Sequence, residues 1–237
     1  MSEAASGESY QSENAARQAL IEACLKMNAL GINQGKAGNA SLRWHRGGED
    51  GLLITPAALP YEQMQADDIA WISLRVQGEG ELARPACTDF RRDPSSEWRM
   101  HRDILAQRPQ ANSVVHTHGP YAASLSCSAR VQREGIPPFH YMVAIAGGRD
   151  IRCAPYASFG TQALSDLAVT ALQNRRACLL ANHGLIALGA SLTRALALAV
   201  EVEALARMYL QGLALGDLVL LDDAQMQAVA DRLADRA

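Results

Sequence analysis

A chain of 237 residues, 49% hydrophobic and 20% charged, is long enough to bury a substantial core, and no low-complexity linker splits it. A net charge of −3, with 22 basic residues scattered rather than gathered into a stripe, argues against a nucleic-acid surface and for small charged metabolites as partners. Five cysteines, far apart and without a C-x-x-C pair, exclude a disulfide framework and fit a reducing cytoplasm, and no apolar run approaches the roughly 18 residues of a membrane span.

Residues 1–11 are polar, lack the basic start and apolar core of a signal peptide, and read as a frayed leader to a single domain over residues 12–237. The spacing of Leu20, Cys24, Met27 and Leu30 predicts a helix from Ser12, its N-cap, to Leu30, with Gly31 as the stop. The glycine-rich turn NQGKAGNAS follows. Residues 40–44 and 52–55 read as strands joined by HRGGEDG in a hairpin, which Pro56 closes. Residues 75–93 are polar and turn-rich, either an exposed excursion or a mobile loop. A second helix starts at Pro94-Ser95-Ser96 with a serine cap and runs through EWRMHRDILAQ to Pro109. The strand SVVHTH and the short helix YAASLSCSA come next.

In the C-terminal half, the apolar run FHYMVAI leads to Gly147-Gly148, IRCAPYASFG is extended, and Thr161 to Asn174 is helical. ACLLANHG reads as a buried strand that stops at a polar NHG turn. A long helix, SLTRALALAVEVEALARMYLQG, ends near Gly212, and DDAQMQAVADRLADR is a last helix with Asp222 and Gln225 in capping-box spacing. Helices intermingled with strands predict an α/β fold of three layers, a sheet with helices on both faces.

The chemistry starts from VVHTH. In a strand, His116 and His118 lie on one face, roughly 7 Å apart at the Cα atoms, within reach of one ion. Two readings are open for this pair alone: metal ligation, or a loop-capping histidine beside a core histidine. His183 also stands where an apolar strand ends, the usual place for a site in α/β folds. Three imidazoles would offer a three-nitrogen face to Zn²⁺ or another borderline divalent ion, leaving a position open for catalysis. Glu97 is the carboxylate that could join them, or simply an acid favoured at a helix N-terminus. NQGKAGNAS adds glycines that let backbone N–H groups approach an anion, with Asn39 and Ser41 as donors and Lys36 as a cation. Ser95 and Ser96 add hydroxyls and N–H groups at a helix start.

The ordered segments GINQGKAGNASLRW, LLITP, PSSEWRMH, VVHTH, HYMVAIAGG, CAPYASFGT and LLANHGLIALG resemble the class II aldolase/adducin family, most closely its L-fuculose-1-phosphate aldolase branch. The resemblance runs from about Leu20 to Leu210. It implies a three-layer α/β/α sandwich with a mixed central sheet, a homotetramer with active sites between subunits, and a Zn²⁺ cofactor that Mn²⁺ or Co²⁺ could replace. It makes His116, His118 and His183 the metal ligands, with Glu97 both a carboxylate near the metal and the acid/base. It assigns the substrate phosphate to Gly38, Asn39, Ser95 and Ser96, and an apolar wall to Phe159. Tyr141 would reach in from the adjoining subunit as a proton donor. The implied reaction is cleavage or formation of a C–C bond in a 1-phospho-2-ketose through a metal-stabilised enediolate, giving dihydroxyacetone phosphate and an aldehyde.

Three departures from the family pattern stand out. Lys36 replaces a small hydroxyl residue in the glycine-rich loop. Ala57 and Ala58 replace a hydroxyl residue and a glycine after ITP. The tail LADRA lacks the tyrosine of the fuculose enzymes. Sibling activities with the same metal site, namely decarboxylase, dehydratase and epimerase, are the alternatives. A non-catalytic adducin-like interaction module is a remoter one, because that class loses the metal set and this sequence retains it.

Overall fold

A computed structural model describes residues 9–234. Residues 1–8 of the expected leader lie outside them, while Tyr10 packs half-buried against the core. Helix α1 (Glu13–Ala29) begins as its sequence predicts, with the Ser12 hydroxyl accepting from the Ala15 N–H at 3.2 Å, and Gly31 follows it at a φ of 70°. Strands β1 (Asn39–Arg46) and β2 (Glu49–Ile54) form the expected hairpin but run further. Gly47 and Gly48, both at positive φ, make a two-residue turn, and the polar flanks join the ladder as Arg46 opposite Glu49 and His45 opposite Asp50.

Strand β3 (Ala70–Ser73) extends the sheet. Within the polar stretch 75–93, β4 (Val76–Gln77) and β5 (Arg84–Pro85) pair as a separate ribbon, and β6 (Thr88–Asp89) adds an edge strand to β3. Helix α2 (Trp98–Gln107) departs from the expected serine cap, since Glu97 itself occupies the N-cap position. Ser95 takes the Glu97 N–H on its hydroxyl at 3.3 Å and the Trp98 N–H on its carbonyl at 3.0 Å. A tight turn therefore precedes the helix, and the Glu97 side chain makes no cap bond.

Strand β7 (Ser113–Thr117) follows, then α3 (Pro120–Ser126) and α4 (Ala129–Glu134), the last not anticipated. The apolar run FHYMVAI coils into a 3₁₀ segment (Tyr141–Ala146) before Gly147. Beyond it come β8 (Cys153–Ala154), α5 (Gln162–Ala171), β9 (Ala177–Leu180), β10 (Gly184–Gly189), α6 (Leu192–Leu215) and α7 (Asp223–Ala234). Strand β10 is absent from the sequence reading, and α6 runs past Gly212 to end at Gly216, whose φ is 86°.

The strands form one eight-stranded mixed sheet in the order β6-β3-β2-β1-β7-β10-β9-β8, antiparallel except for β8 against β9. Alternating side chains feed two cores. Leu53, Val115, Leu179 and Leu185 face α1, α3 and α6; Leu52, Val114, Cys178 and Ile186 face α2 and α5. This is the three-layer α/β/α sandwich the sequence predicts. By the same alternation His116, two residues beyond Val114, turns toward α2, and so do Asn39 and Ser41 of β1. No helix among the described residues is long and apolar enough to cross a membrane.

Candidate active site

Three chain segments meet at one end of the central strands. His116 is the fourth residue of β7, paired with Asn39 of β1 on one side and Ile186 of β10 on the other. His118 lies just past that strand. His183 sits in the turn between β9 and β10, where Asn182 takes a left-handed φ of 55°. Helix α3 ties the two histidine segments together. The Glu203 carboxylate of α6 accepts the Tyr121 and Ala122 N–H groups at 2.7 and 3.0 Å, anchoring the helix directly after His118. At its other end, the Ser126 hydroxyl accepts the His183 N–H at 3.2 Å.

The rings converge. Their centroids are 4.7 to 4.8 Å apart pairwise, and one nitrogen from each lies within 4.8 Å of the others. His116 Nδ1 is 2.9 Å from the Leu185 carbonyl, which can only accept, so Nδ1 carries the proton and a neutral ring presents its Nε2 lone pair inward. That Nε2 is 2.9 Å from His118 Nε2 and 3.2 Å from Glu97 Oε2, while His183 Nε2 is 3.4 Å from Glu97 Oε1.

Burial keeps these rings from charging: it pushes His116 down to about 3 and His183 to about 4, and lowers His118. Lone pairs and a carboxylate are thus crowded together at neutral pH with no imidazolium proton among them. Glu97 Oε1 is buried with no hydrogen-bond partner. Such a set is satisfied by a cation. A tetrahedral ion with bonds of about 2.0–2.1 Å spaces its ligands by roughly 3.3 Å, close to the distances found. The residues present therefore fit a divalent metal.

A cavity of about 540 Å³ opens beside this cluster, lined by Glu97, His118 and His183 together with Lys36 to Asn39 and Ser95-Ser96. Gly38 is required by packing, since a Cβ there would stand 2.5 Å from the His116 carbonyl oxygen and 2.7 Å from Asn33 Oδ1. Lys36 Nζ donates to the Ala58 carbonyl at 3.0 Å in the cavity lining, and Ala58 holds a φ of 56°, where glycine is favoured. Ala57 lines the same wall. Exposed Tyr156 and Phe159 form the rim.

The other sequence candidates fall differently. Asn39 has both ends of its amide engaged: Nδ2 donates to Glu97 Oε2 at 2.8 Å, and Oδ1 lies 2.5 Å from His101 Nε2. Ser41 is fully buried and bonded to His101 at 2.8 Å, so it does not reach the cavity. Tyr141 is half exposed on the 3₁₀ segment and does not line the cavity of its own chain. Two contributors escaped the sequence reading. Asn33 accepts the His118 N–H on Oδ1 at 3.1 Å and donates from Nδ2 to Tyr61, whose hydroxyl donates to the Gly38 carbonyl. His101 is the other, and its place one helical turn after Glu97 was the available signal.

The family model described as Class II Aldolase and Adducin N-terminal domain matches residues 18–210. The chain is 46% identical over 218 residues to the 5-methylthioribulose-1-phosphate/5-deoxyribulose-1-phosphate aldolase of Rhodospirillum rubrum, covering 92% of this chain and 90% of that protein. It is 45% identical over 219 residues to the L-fuculose phosphate aldolase of Escherichia coli, covering 92% and 93%. A solved L-fuculose 1-phosphate aldolase superposes with a TM-score of 0.80 at 33% identity, covering 92% of this chain and 95% of that one.

Proposed function

The chain belongs to the class II aldolase and adducin family, and on that premise we propose that it is a zinc-dependent aldolase acting on 1-phosphorylated 2-ketoses, releasing dihydroxyacetone phosphate and an aldehyde. The observation that carries this reading is the convergence of three uncharged imidazoles and an acid at a cavity that Lys36, Gly38, Ser95 and Ser96 also line. Relatives act on a fuculose phosphate in one case and on methylthio- or deoxyribulose phosphates in another. These substrates share a phosphate at one end and an apolar group at the other. The cavity offers groups for both, with Lys36, Gly38, Ser95 and Ser96 available to the phosphate and the exposed rings of Tyr156 and Phe159 available to the apolar tail.

His116, His118 and His183 would hold the ion, with Glu97 at its edge. When bound, it supplies the positive charge that polarises the ketose carbonyl and offsets the negative charge developing there. The chain's own groups do the rest. The glycine loop, the exposed Ser96 and the Ser95 hydroxyl, with Lys36, anchor the phosphate and fix the carbon skeleton relative to Glu97. In the condensation direction Glu97 takes the proton from the carbon next to the carbonyl, and in cleavage it returns that proton to the same carbon. Tyr141, exposed and away from its own cavity, serves a neighbouring subunit of a homotetramer by protonating the aldehyde oxygen as the new bond forms. Five free cysteines fit a cytoplasmic setting.

The test is to offer 1-phospho-ketoses, among them L-fuculose 1-phosphate and 5-deoxyribulose 1-phosphate, and to measure release of dihydroxyacetone phosphate with CO₂ release assayed in parallel. Glu97→Gln should keep its metal and lose roughly 10²–10⁴-fold in turnover. Release of CO₂ without a triose phosphate, or full turnover by Glu97→Gln, would reject the assignment.

A further inference from the structure

Glu97 and His101 stand one helical turn apart at the start of α2, against Asn39 and Ser41, two residues apart on β1. The four side chains form a single run of hydrogen bonds. His101 is fully buried, with Nδ1 2.8 Å from Ser41 Oγ and Nε2 2.5 Å from Asn39 Oδ1, and Asn39 Nδ2 donates to Glu97 Oε2 at 2.8 Å. Each link has one sense. Asn39 Oδ1 can only accept, so His101 Nε2 carries the hydrogen, and in the neutral ring Nδ1 accepts from the Ser41 hydroxyl. An asparagine amide is nearly symmetric in shape, and packing alone selects its orientation weakly. Reversed, it would set Oδ1 against the Glu97 carboxylate and its NH₂ against the N–H of His101. The Glu97 carboxylate at one end and the buried imidazole N–H at the other remove that ambiguity together.

We infer that His101 is a positioning residue for the acid/base: through Asn39 it pins Glu97 Oε2 and leaves Oε1, which has no hydrogen-bond partner, as the oxygen that exchanges the carbon-bound proton. The inference rests on the proposed role of Glu97. In condensation the C–H bond breaks, its electron pair stays on the ketose fragment as the enediolate, and the proton goes to Oε1. In cleavage Oε1–H returns it. Asn39 neither gains nor loses a proton in either direction. Without the His101 donor, Asn39 is held only by the carboxylate it is meant to hold, so the two can rotate together and the reacting oxygen is no longer fixed.

The experiment uses the zinc-loaded, assembled protein and its His101→Leu and His101→Gln variants. Deuterium uptake at the hydroxymethyl carbon of dihydroxyacetone phosphate is followed by NMR, with kcat, KM and metal content measured alongside. His101→Leu should lose roughly 10–100-fold in exchange and in kcat, with metal content unchanged and KM within about threefold of wild type. His101→Gln, which retains an N–H that can reach Asn39 Oδ1, should recover most of that loss. Equal rates in the two variants, or a fall in KM and melting temperature without a fall in exchange, would leave His101 a packing residue and overturn the inference.

Absence of exchange in the wild type would count against the aldolase reading instead. The inference is then decided by ¹⁵N NMR of the imidazoles, with His101→Gln assigning the signal: a neutral Nε2–H tautomer supports it and an Nδ1–H tautomer refutes it. Should His101→Leu fail to fold, Ser41→Ala takes its place. It should give a few-fold loss in exchange and a mixed tautomer signal, and wild-type behaviour in both would again refute the inference.

Discussion

Replacing His101 by Gln should make the protein less sensitive to acid, by an amount the burial of the ring sets. Burial, with His116 nearby, pushes the folded-state value of His101 down to about 3 from an ordinary 6.5. A depressed value in the folded state means that the unfolded chain binds the proton first. The stability this ring contributes is therefore complete above about pH 6.5 and declines as pH falls toward about 3. At about pH 5 the unfolded ring is almost fully protonated while the folded one is not. The ratio of the two binding terms is about 30, which corresponds to about 2 kcal/mol, rising to about 4 kcal/mol near pH 3.

Glutamine fills a similar volume, offers both a donor and an acceptor, and does not titrate. Urea unfolding of chelated wild type and His101→Gln at about pH 7.5 and pH 5 isolates the effect, because titration of His116, His118 and His183 is common to both proteins. The wild type should lose about 2 kcal/mol more than the variant on acidification. Equal losses would mean that His101 is hydrated or already charged in the folded protein, and the reasoning from its burial would fail.

The same geometry gives three further expectations. His118→Ala removes one of three convergent nitrogens and should weaken metal binding at least about 100-fold; elemental analysis finding about one ion per chain in that variant would remove His118 from the ligand set. In Gly38→Ala the new methyl group would press on the His116 carbonyl and on Asn33, which holds the His118 N–H, so a loss of about 1–3 kcal/mol together with weaker metal binding is expected in thermal melts and chelator competition. Unchanged behaviour would show the glycine loop to be free to move. Lys36→Thr should raise KM for phosphorylated ketoses while leaving their unphosphorylated counterparts unaffected, and equal effects on both would show that the Lys36 bond to Ala58 is purely structural.

Which elements could be read from sequence follows from where their information lies. The starts of α1, α5 and α7 are local: Ser12 and Thr161 each accept an N–H three residues on, and Asp222 and Gln225 each accept the other's N–H, as their spacing predicts. Strand β10 carries no such mark. All six residues of GLIALG are buried, so periodicity is silent, and glycine at both ends reads as punctuation. Those glycines serve close approach instead, since a Cβ at Gly184 would meet the Thr117 carbonyl oxygen at 2.3 Å. FHYMVAI has strand composition but coils into a 3₁₀ segment, with the His140 side chain capping the Met142 N–H. The serine cap of α2 was misplaced by a subtler margin: the turn at Ser95 uses the cap bonds one step early, and that step frees Glu97 to face the histidines.

The site divides along the same line. His116 and His118 were legible because a strand puts i and i+2 on one face, and His183 because a polar turn ended an apolar run. His101 was not, because its partners lie 60 and 62 residues away and only the docking of α2 on β1 brings them within reach. That docking also explains how a buried carboxylate oxygen without a partner can persist. An unsatisfied buried acceptor costs about 1–3 kcal/mol, and crowding three imidazole lone pairs around it adds to the cost. Strands β7 and β10 are held on both faces by separate apolar cores, and β1 on one, its other face docking on α2 through Asn39, Ser41 and Arg43. The scaffold can therefore keep the acid and the rings in a geometry they would not adopt alone, which is the condition for a group that must accept a proton in one direction and release it in the other.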